Sequence, residues 1–344
     1  MRHSPVDDHP TPMSCFIRNG RTSVLHFTFV FQPSNLHQIN CCYRSPCSER
    51  LPSTISYINS IVLSDTFKGK VVWITGASKG IGEQIALNLS KHGTKLVLSA
   101  RSKDKLYQVK NRCIEISEGM LTANDVLVLP MDVTHLSKHI SLFDNVINYF
   151  GKLDILINNA GRSQRAVWED IEIGVDREIF DLNVFPIVNL SRIAVNYFNS
   201  IGHGQIVTTS SIAGIISAPN SASYNATKYS LHGYFGTLCQ EKVNTQIHVT
   251  LLCPGPVFSN FLEDSFTAHS GEKYGITQSS TDNRMSTERC AHLSCVAIAN
   301  KLRESWMAKF PIIPIVYFSL YYPVLSYKLY ELYGYKLAQK LRDS

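Results

Sequence analysis

Residues 210–228, SSIAGIISAPNSASYNATK, bring together three side chains of the kinds that proton-transfer chemistry needs. Tyr224 and Lys228 stand four apart, so on a helix they share a face about one turn from each other. An ammonium beside a phenol favours the phenolate. The spacing therefore predicts that Tyr224 is pulled down from a phenol's usual value of about 10, toward a range where it exchanges a proton. Ser211, thirteen residues earlier, adds a hydroxyl that can hydrogen-bond the oxygen of a carbonyl or alcohol held beside the tyrosine. A hydroxyl, a tunable phenol and a fixed cation describe proton transfer coupled to hydride transfer. Alone, the pair also fits an ordinary amphipathic helix carrying a half-buried tyrosine and a solvated lysine. The chain upstream decides between the two.

From Lys70 the sequence alternates buried strands with helical stretches. VVWITG (71–76) is an apolar strand, and the run TGASKGIG leads from it into the helical pattern IGEQIALNLSKHG. Glycines between a strand and a helix N-terminus let the backbone approach a pyrophosphate, where free N–H groups and the helix dipole favour negative charge. Gly76, Ser78, Lys79, Gly80, Ile81 and Gly82 are therefore candidate contacts to a dinucleotide. The next strand, KLVLSAR (95–101), ends in Ala100 and Arg101. An acid at that place would bind a ribose 2′-hydroxyl. Arg101 and Lys79 suit a 2′-phosphate instead, which favours NADP(H) over NAD(H).

The later strands end in polar residues of the same kind. Asp132 closes VLVLPMDV (126–133), placed either to accept from an adenine amino group or to cap the following helix. KLDILINNAG (152–161) runs into Asn159, whose side chain can hold a loop and line a crevice. A helix from about Arg177 carries Asn183 in an apolar run, where a buried amide needs a partner. Asn183 is either a satisfied core residue or one that holds a water in a proton relay. QIVTTSS (205–211) and IHVTLLCPGPV (247–257) follow, the latter ending in a Pro254-Gly255 turn with Val257 and Ser259 beyond it. Strands alternating with helices predict an α/β fold, a single Rossmann-type doubly wound parallel sheet of about seven strands with helices on both faces. Its site should lie at the carboxyl ends of the strands, where each of these motifs falls.

Hydrophobic residues make up 44% of the 344 and charged residues 17%, a balance that buries a sizeable core. The formal charge of +6 comes without a dense Lys/Arg run, so no nucleic-acid partner is expected. The nine cysteines form no CxxC pair and read as small buried hydrophobes; no metal site is expected. Residues 1–66 are rich in Ser, Pro, Asn, Thr, His and Cys, with neither a membrane-spanning run nor a signal-peptide pattern, and read as a loosely ordered extension. The oxidoreductase domain is placed at 67–309, with a polar, glycine-dotted substrate lid at 258–285. An apolar C-terminal extension occupies 310–344. Pro311, Pro314 and Pro323 disfavour a spanning helix in FPIIPIVYFSLYYPVLSY (310–327), leaving either a core segment on the sheet edge or an interfacial tail.

Taken together, TGASKGIG, NNAG and the Ser211, Tyr224, Lys228 set resemble the short-chain dehydrogenase/reductase family, over about Lys70 to Ser344. Within the family the chain also resembles the 11β-hydroxysteroid dehydrogenase branch, whose NADP(H) preference would agree with Arg101. The resemblance implies an NADP(H)-dependent enzyme interconverting a carbonyl and a secondary alcohol on a lipophilic steroid, retinoid or xenobiotic, working mainly as a reductase. It implies Tyr224 as the proton donor and Ser211 as the group that polarises the carbonyl. Lys228 would tune the tyrosine and bind the nicotinamide ribose, and Asn183 would be the anchor of a relay water. It also implies a homodimer or homotetramer and association with the endoplasmic reticulum membrane. The sequence departs from the pattern in showing no N-terminal anchor, which keeps a cytoplasmic protein as the alternative, with peripheral membrane contact left to 310–327. It also has Ser259 where the family commonly has threonine, keeping the hydroxyl. A dinucleotide-binding scaffold without turnover is the contrasting reading, and it has no use for the full Asn, Ser, Tyr and Lys set.

Overall fold

The computed structural model describes residues 66–259, 261–276 and 282–343. The extension expected at 1–66 therefore lies, apart from Thr66, outside the described residues. Seven strands, β1 (Val71–Thr75), β2 (Lys95–Ser99), β3 (Val126–Val128), β4 (Ile155–Asn158), β5 (His203–Thr209), β6 (Gln246–Pro254) and β7 (Glu304–Met307), form one sheet in the order β3-β2-β1-β4-β5-β6-β7. Every neighbouring pair is parallel. Parallel strands need long crossovers, supplied by α1 (Gly80–Ser90), α2 (Lys103–Ile116), α3 (His139–Phe150), α4 (Ile173–Asn183), α5 (Phe185–Ile201), α6 (Ala222–Glu241) and α7 (Thr287–Ala299). The order turns back on itself between β1 and β4, which opens a crevice at the strands' carboxyl ends.

Alternation along the strands builds two cores. Val72 and Ile74 face one layer with Leu96, Leu98, Ile157 and α1, α2 and α7. Val71 and Trp73 face the other, with Val97, Leu156, Ile206 and α3, α5 and α6. Since both faces are covered, the strands read in sequence as unbroken apolar runs.

Three expectations change in detail. Strand pairing in 126–133 ends at Val128, because Pro130 has no N–H to give. The backbone still follows β2, through Leu129 N–H to Leu98 O at 2.9 Å and Met131 N–H to Ala100 O at 3.0 Å, and so delivers Asp132 to the crevice. The helix expected from about Arg177 begins at Ile173 and closes on Asn183. Asn183 is the last residue of α4, where the chain breaks at Val184 before α5 begins. The tail folds into α8 (Ile312–Tyr321) and α9 (Pro323–Asp343), the latter kinked at Gly334. Pro311 and Pro323 fall at helix starts, where a missing N–H costs nothing.

Candidate active site

The crevice is a cleft of about 2550 Å³, running from the glycine-rich turn after β1, past the ends of β4, β5 and β6, to α8 and α9. Gly76 and Gly80 hold φ of +67° and +61°, left-handed values that suit glycine. A Cβ on Gly82 would lie 2.4 Å from the Gly76 carbonyl oxygen and 2.5 Å from Asn159 Nδ2, so the turn closes only around a bare backbone. Asn159 Nδ2 donates to the carbonyls of Thr75 (3.3 Å) and Gly76 (3.2 Å) and fixes the turn to β4. Thr75 Oγ1 accepts from Asn159 N–H (3.0 Å) and Ala160 N–H (3.2 Å). Ser78, Ile81 and Arg101 line the same end, and Arg101 is exposed. Asp132 Oδ1 accepts from Thr134 N–H (3.0 Å) and Oγ1 (2.8 Å). Burial works to raise its carboxyl, but those two bonds and the Arg101 charge hold it below the usual range.

At the other end Ser211, Tyr224 and Lys228 converge. The extended Ser211 caps a short 3-10 turn, its Oγ accepting from Ala213 N–H (3.1 Å) and donating to Pro254 O (3.2 Å). It also lies beside the Tyr224 phenol. Tyr224 and Lys228 sit one turn apart on α6, with Lys228 Nζ 5.6 Å from the centre of the tyrosine ring. Gly214 lets the Ser211 turn press onto the helix, since a Cβ there would meet the Lys228 backbone at 2.9 Å. Gly255 N–H bonds Met307 O at 2.7 Å, which pins the turn after β6 to β7. Beyond it Val257 is buried, and Ser259 Oγ accepts from Phe261 N–H (3.3 Å).

The expected depression of the Tyr224 pKa is not met in the protein alone. Burial pushes the phenol up, and the Ser211 hydrogen bond and the Arg165 charge oppose this only in part. Lys228 turns its ammonium to Thr209 O at 2.8 Å, and its own burial lowers it from 10.5 to about 8. Asn183 resolves as a clamp. Its Oδ1 accepts from Arg162 N–H (2.9 Å), while Nδ2 donates to Arg162 O (2.8 Å) and Thr227 Oγ1 (3.3 Å). Lys79 is not a free cation facing a ribose, since its ammonium is paired with Asp264, in the stretch 258–285 where the sequence placed a lid.

The family model for short chain dehydrogenases matches residues 70–269. The chain belongs to the short-chain dehydrogenase/reductase family. It is therefore an oxidoreductase of a family that uses a nicotinamide nucleotide. It is 38% identical to human dehydrogenase/reductase SDR family member 7 over 79% of this chain and 80% of that one. It is 36% identical to 11-beta-hydroxysteroid dehydrogenase 1A of Arabidopsis thaliana over 62% of this chain and 60% of that one. Among solved structures, the alcohol dehydrogenase from Thermococcus sibiricus complexed with 5-hydroxy-NADP matches with TM-score 0.61 and 22% identity, over 71% of this chain and 97% of that one. A short chain dehydrogenase/reductase from Burkholderia phymatum in complex with NAD matches with TM-score 0.65 and 22% identity, over 76% and 96%. At that identity the two structures establish the short-chain dehydrogenase fold.

Within this family member, sequence reasoning missed the supporting residues Thr75, Thr209, Thr227 and Arg165. Thr75 had a readable signal, a hydroxyl at the last position of the strand before the glycine turn. Arg165 had none. It reaches the site because its Nη1 spans Ser163 Oγ (2.9 Å) and Ser221 Oγ (2.6 Å) across a long sequence interval.

Proposed function

We propose that this chain is an NADP(H)-dependent oxidoreductase that interconverts a carbonyl and a secondary alcohol on a lipophilic substrate, working mainly as a reductase. One observation carries the reading: Ser211, Tyr224 and Lys228 meet on one wall of the cleft whose other end is the glycine cradle. The turn fits a dinucleotide, because Gly76 and Gly82 let it close on bare backbone where a Cβ has no room, and the start of α1, which no side chain caps, would offer its N–H groups to a phosphate. Gly76, Ser78, Gly80, Ile81 and Gly82 would hold the pyrophosphate end. Asp132 and Arg101 would flank the adenosine, with Asn159, Pro254, Gly255, Val257 and Ser259 along the nicotinamide end. The exposed Arg101 and the lack of an acid at the end of β2 favour a 2′-phosphate. Bound NADP(H) supplies the hydride.

The protein's own residues handle the proton. A phenol pushed up by burial is fully protonated at neutral pH, which suits Tyr224 to donate to a carbonyl oxygen as that oxygen gains charge. Ser211 Oγ, fixed by Ala213 N–H, would turn its single hydrogen from Pro254 O to the same oxygen. Lys228, with its lowered pKa, is the cation that supports ribose binding and stabilises Tyr224 as the proton leaves. Both Nδ2 hydrogens of Asn183 are used on protein oxygens, so a relay water would rest on its main-chain carbonyl at the end of α4. Phe261, Phe266 and Phe318 supply apolar surface for a lipophilic substrate. The tail 310–327 is proposed to touch a bilayer peripherally, and the chain to assemble as a homodimer or homotetramer.

The test is oxidation of NADPH by the purified chain against a steroid ketone, all-trans-retinal and an aromatic dicarbonyl, repeated with NADH and with Tyr224→Phe. NADPH-dependent turnover that the variant loses supports the reading. A folded protein that binds NADPH but never turns over, in detergent or with vesicles, would instead be a dinucleotide-binding scaffold.

A further inference from the structure

Lys79 closes the glycine-rich turn at the start of α1, on extended backbone at φ −165°, yet its ammonium is paired with Asp264 of the lid. The other oxygen of that carboxylate holds Lys273 Nζ at 3.2 Å. Burial works to raise the Asp264 carboxyl, but the hydrogen bonds and charges of the two lysines keep it below its usual range, so it carries a full negative charge. All three side chains line the cleft. The root of the lid packs on the same turn, since a Cβ on Gly80 would come within 3.7 Å of Ser259 Cβ. Farther along, the lid is held by Phe266 N–H to Ser163 O (2.9 Å) and by His269 Nδ1 against Glu172 Oε1 (2.8 Å). Asp264 is thus the charged contact between the lid and the turn that would cradle a phosphate.

A phosphate entering that turn would compete with Asp264 for one ammonium, and the two anions would repel each other across a short gap. Two lysines on one carboxylate make an exchange feasible, because Lys273 keeps Asp264 paired when Lys79 departs. We propose that Lys79 is a transferable cation, held by Asp264 in the free protein and passed to a phosphate of the bound dinucleotide, so that cofactor binding unlatches the lid. This rests on the dinucleotide reading of the crevice and adds to it a lid residue, Asp264, that sets cofactor affinity. Asp264 is a positioning residue in this scheme and takes no part in proton transfer.

The experiment measures NADPH and NADH affinity by quenching of tryptophan fluorescence, for wild type, Asp264→Asn, Lys79→Met and the double variant. Asp264→Asn should tighten binding about two- to fivefold at low salt, the scale of a partly exposed ion pair. The gain should shrink as salt rises and vanish in the Lys79→Met background. A gain confined to NADPH assigns the 2′-phosphate as the receiving group, and an equal gain with NADH assigns the pyrophosphate. In parallel, tryptic cleavage at the exposed Lys273, read by mass spectrometry, should quicken on adding NADPH to wild type and be quick without it in Asp264→Asn. Unchanged or weaker affinity in Asp264→Asn overturns the proposal, as does lid cleavage indifferent to NADPH in wild type. If wild type binds neither dinucleotide, the crevice reading fails and this one with it. If both bind and the Asp264→Asn effect is missing, only the exchange falls.

Discussion

Tyr224 and Lys228 are both buried, at 8% and 5% exposure, and burial works against the charged form of each. For Tyr224 this keeps the acid loaded at neutral pH. For Lys228, lowered from 10.5 to about 8, it means the folded chain loses this proton well before the unfolded chain does. The sign then follows from linkage. Between about pH 8 and the unfolded value the unfolded state binds more protons, so stability rises with pH through that window, and below it the buried ammonium is a standing cost. Lys228→Met is therefore expected to raise Tm at pH 7 by about 2–6 °C, with the advantage shrinking toward pH 10, while turnover falls at least about a hundredfold. Thermal scans at the two pH values check the first half, and a Tm that drops at pH 7 would sink it. In the wild type, kcat/KM should fall as pH rises through about 8, because the supporting ammonium is lost. Tyr224→Phe should cost about 10² to 10⁴ in turnover and leave NADPH affinity within about twofold. The types and spacing of these residues were readable in the chain. The direction of the tyrosine shift was not, because it depends on how much of the sheet and lid covers the ring, including the edge-on contact with Phe261 at 6.0 Å.

Strands and turns were legible wherever local chemistry settles their ends. The glycines at 76, 80 and 82 announced the tight turn between β1 and α1, and the close approach of Gly82 to the Gly76 carbonyl explains why no larger residue serves. Gly82→Ala is expected to abolish NADPH binding and lower Tm, since backbone at 2.4 Å cannot give way as a flexible side chain would. Calorimetric titration checks this, and binding within tenfold of wild type would mean that the turn can re-form. Other elements take their shape from partners far away in sequence. β7 is four residues long and starts with Glu304, so its composition alone hardly marks it as a strand. It exists because Leu251 to Pro254 present an unpaired edge. The break after Asn183 has a local cause in Pro186, which gives no N–H to the turn before it, and a distant partner as well. The amide leaves the helical pattern to bridge the Arg162 backbone and Thr227. Asn183→Ala would leave the Arg162 N–H and C=O without that partner, at a cost of about 1–3 kcal/mol, readable as a shift in urea midpoint with unchanged slope.

For the molecule as a whole, the asymmetric feature is the C-terminal pair α8 and α9. In α8 only Val316 is fully buried, with Tyr317 packed against Trp306 at 5.0 Å between ring centres. Tyr321, stacked on Tyr317 with ring centres 6.2 Å apart, is 73% exposed and Val324 of α9 72%, beside further exposed tyrosines, near the end of the cleft lined by Ile315 and Phe318. The sequence left two possibilities for this stretch, a core segment or an interfacial tail; the structure buries Val316 and leaves Tyr321 and Val324 uncovered, and contact with a membrane stays a proposal. Among the described residues no helix is long and apolar enough to cross a membrane, so any contact with lipid would have to be made lying flat. Aromatic rings at a bilayer boundary would then put the mouth of the cleft where a lipophilic substrate is concentrated. Tyr321→Asp with Val324→Asp changes two side chains that do not line the cleft, and charges there should be excluded from the acyl boundary. The pair is expected to cut co-sedimentation with phosphatidylcholine vesicles at least about fivefold, and to raise KM for a vesicle-borne ketone. Turnover of a water-soluble dicarbonyl should stay within about twofold, because the proton-transfer site is untouched. If vesicle binding is unchanged and the oligomer dissociates instead, the exposed face belongs to a contact between copies of this chain, and substrate must reach the cleft from water.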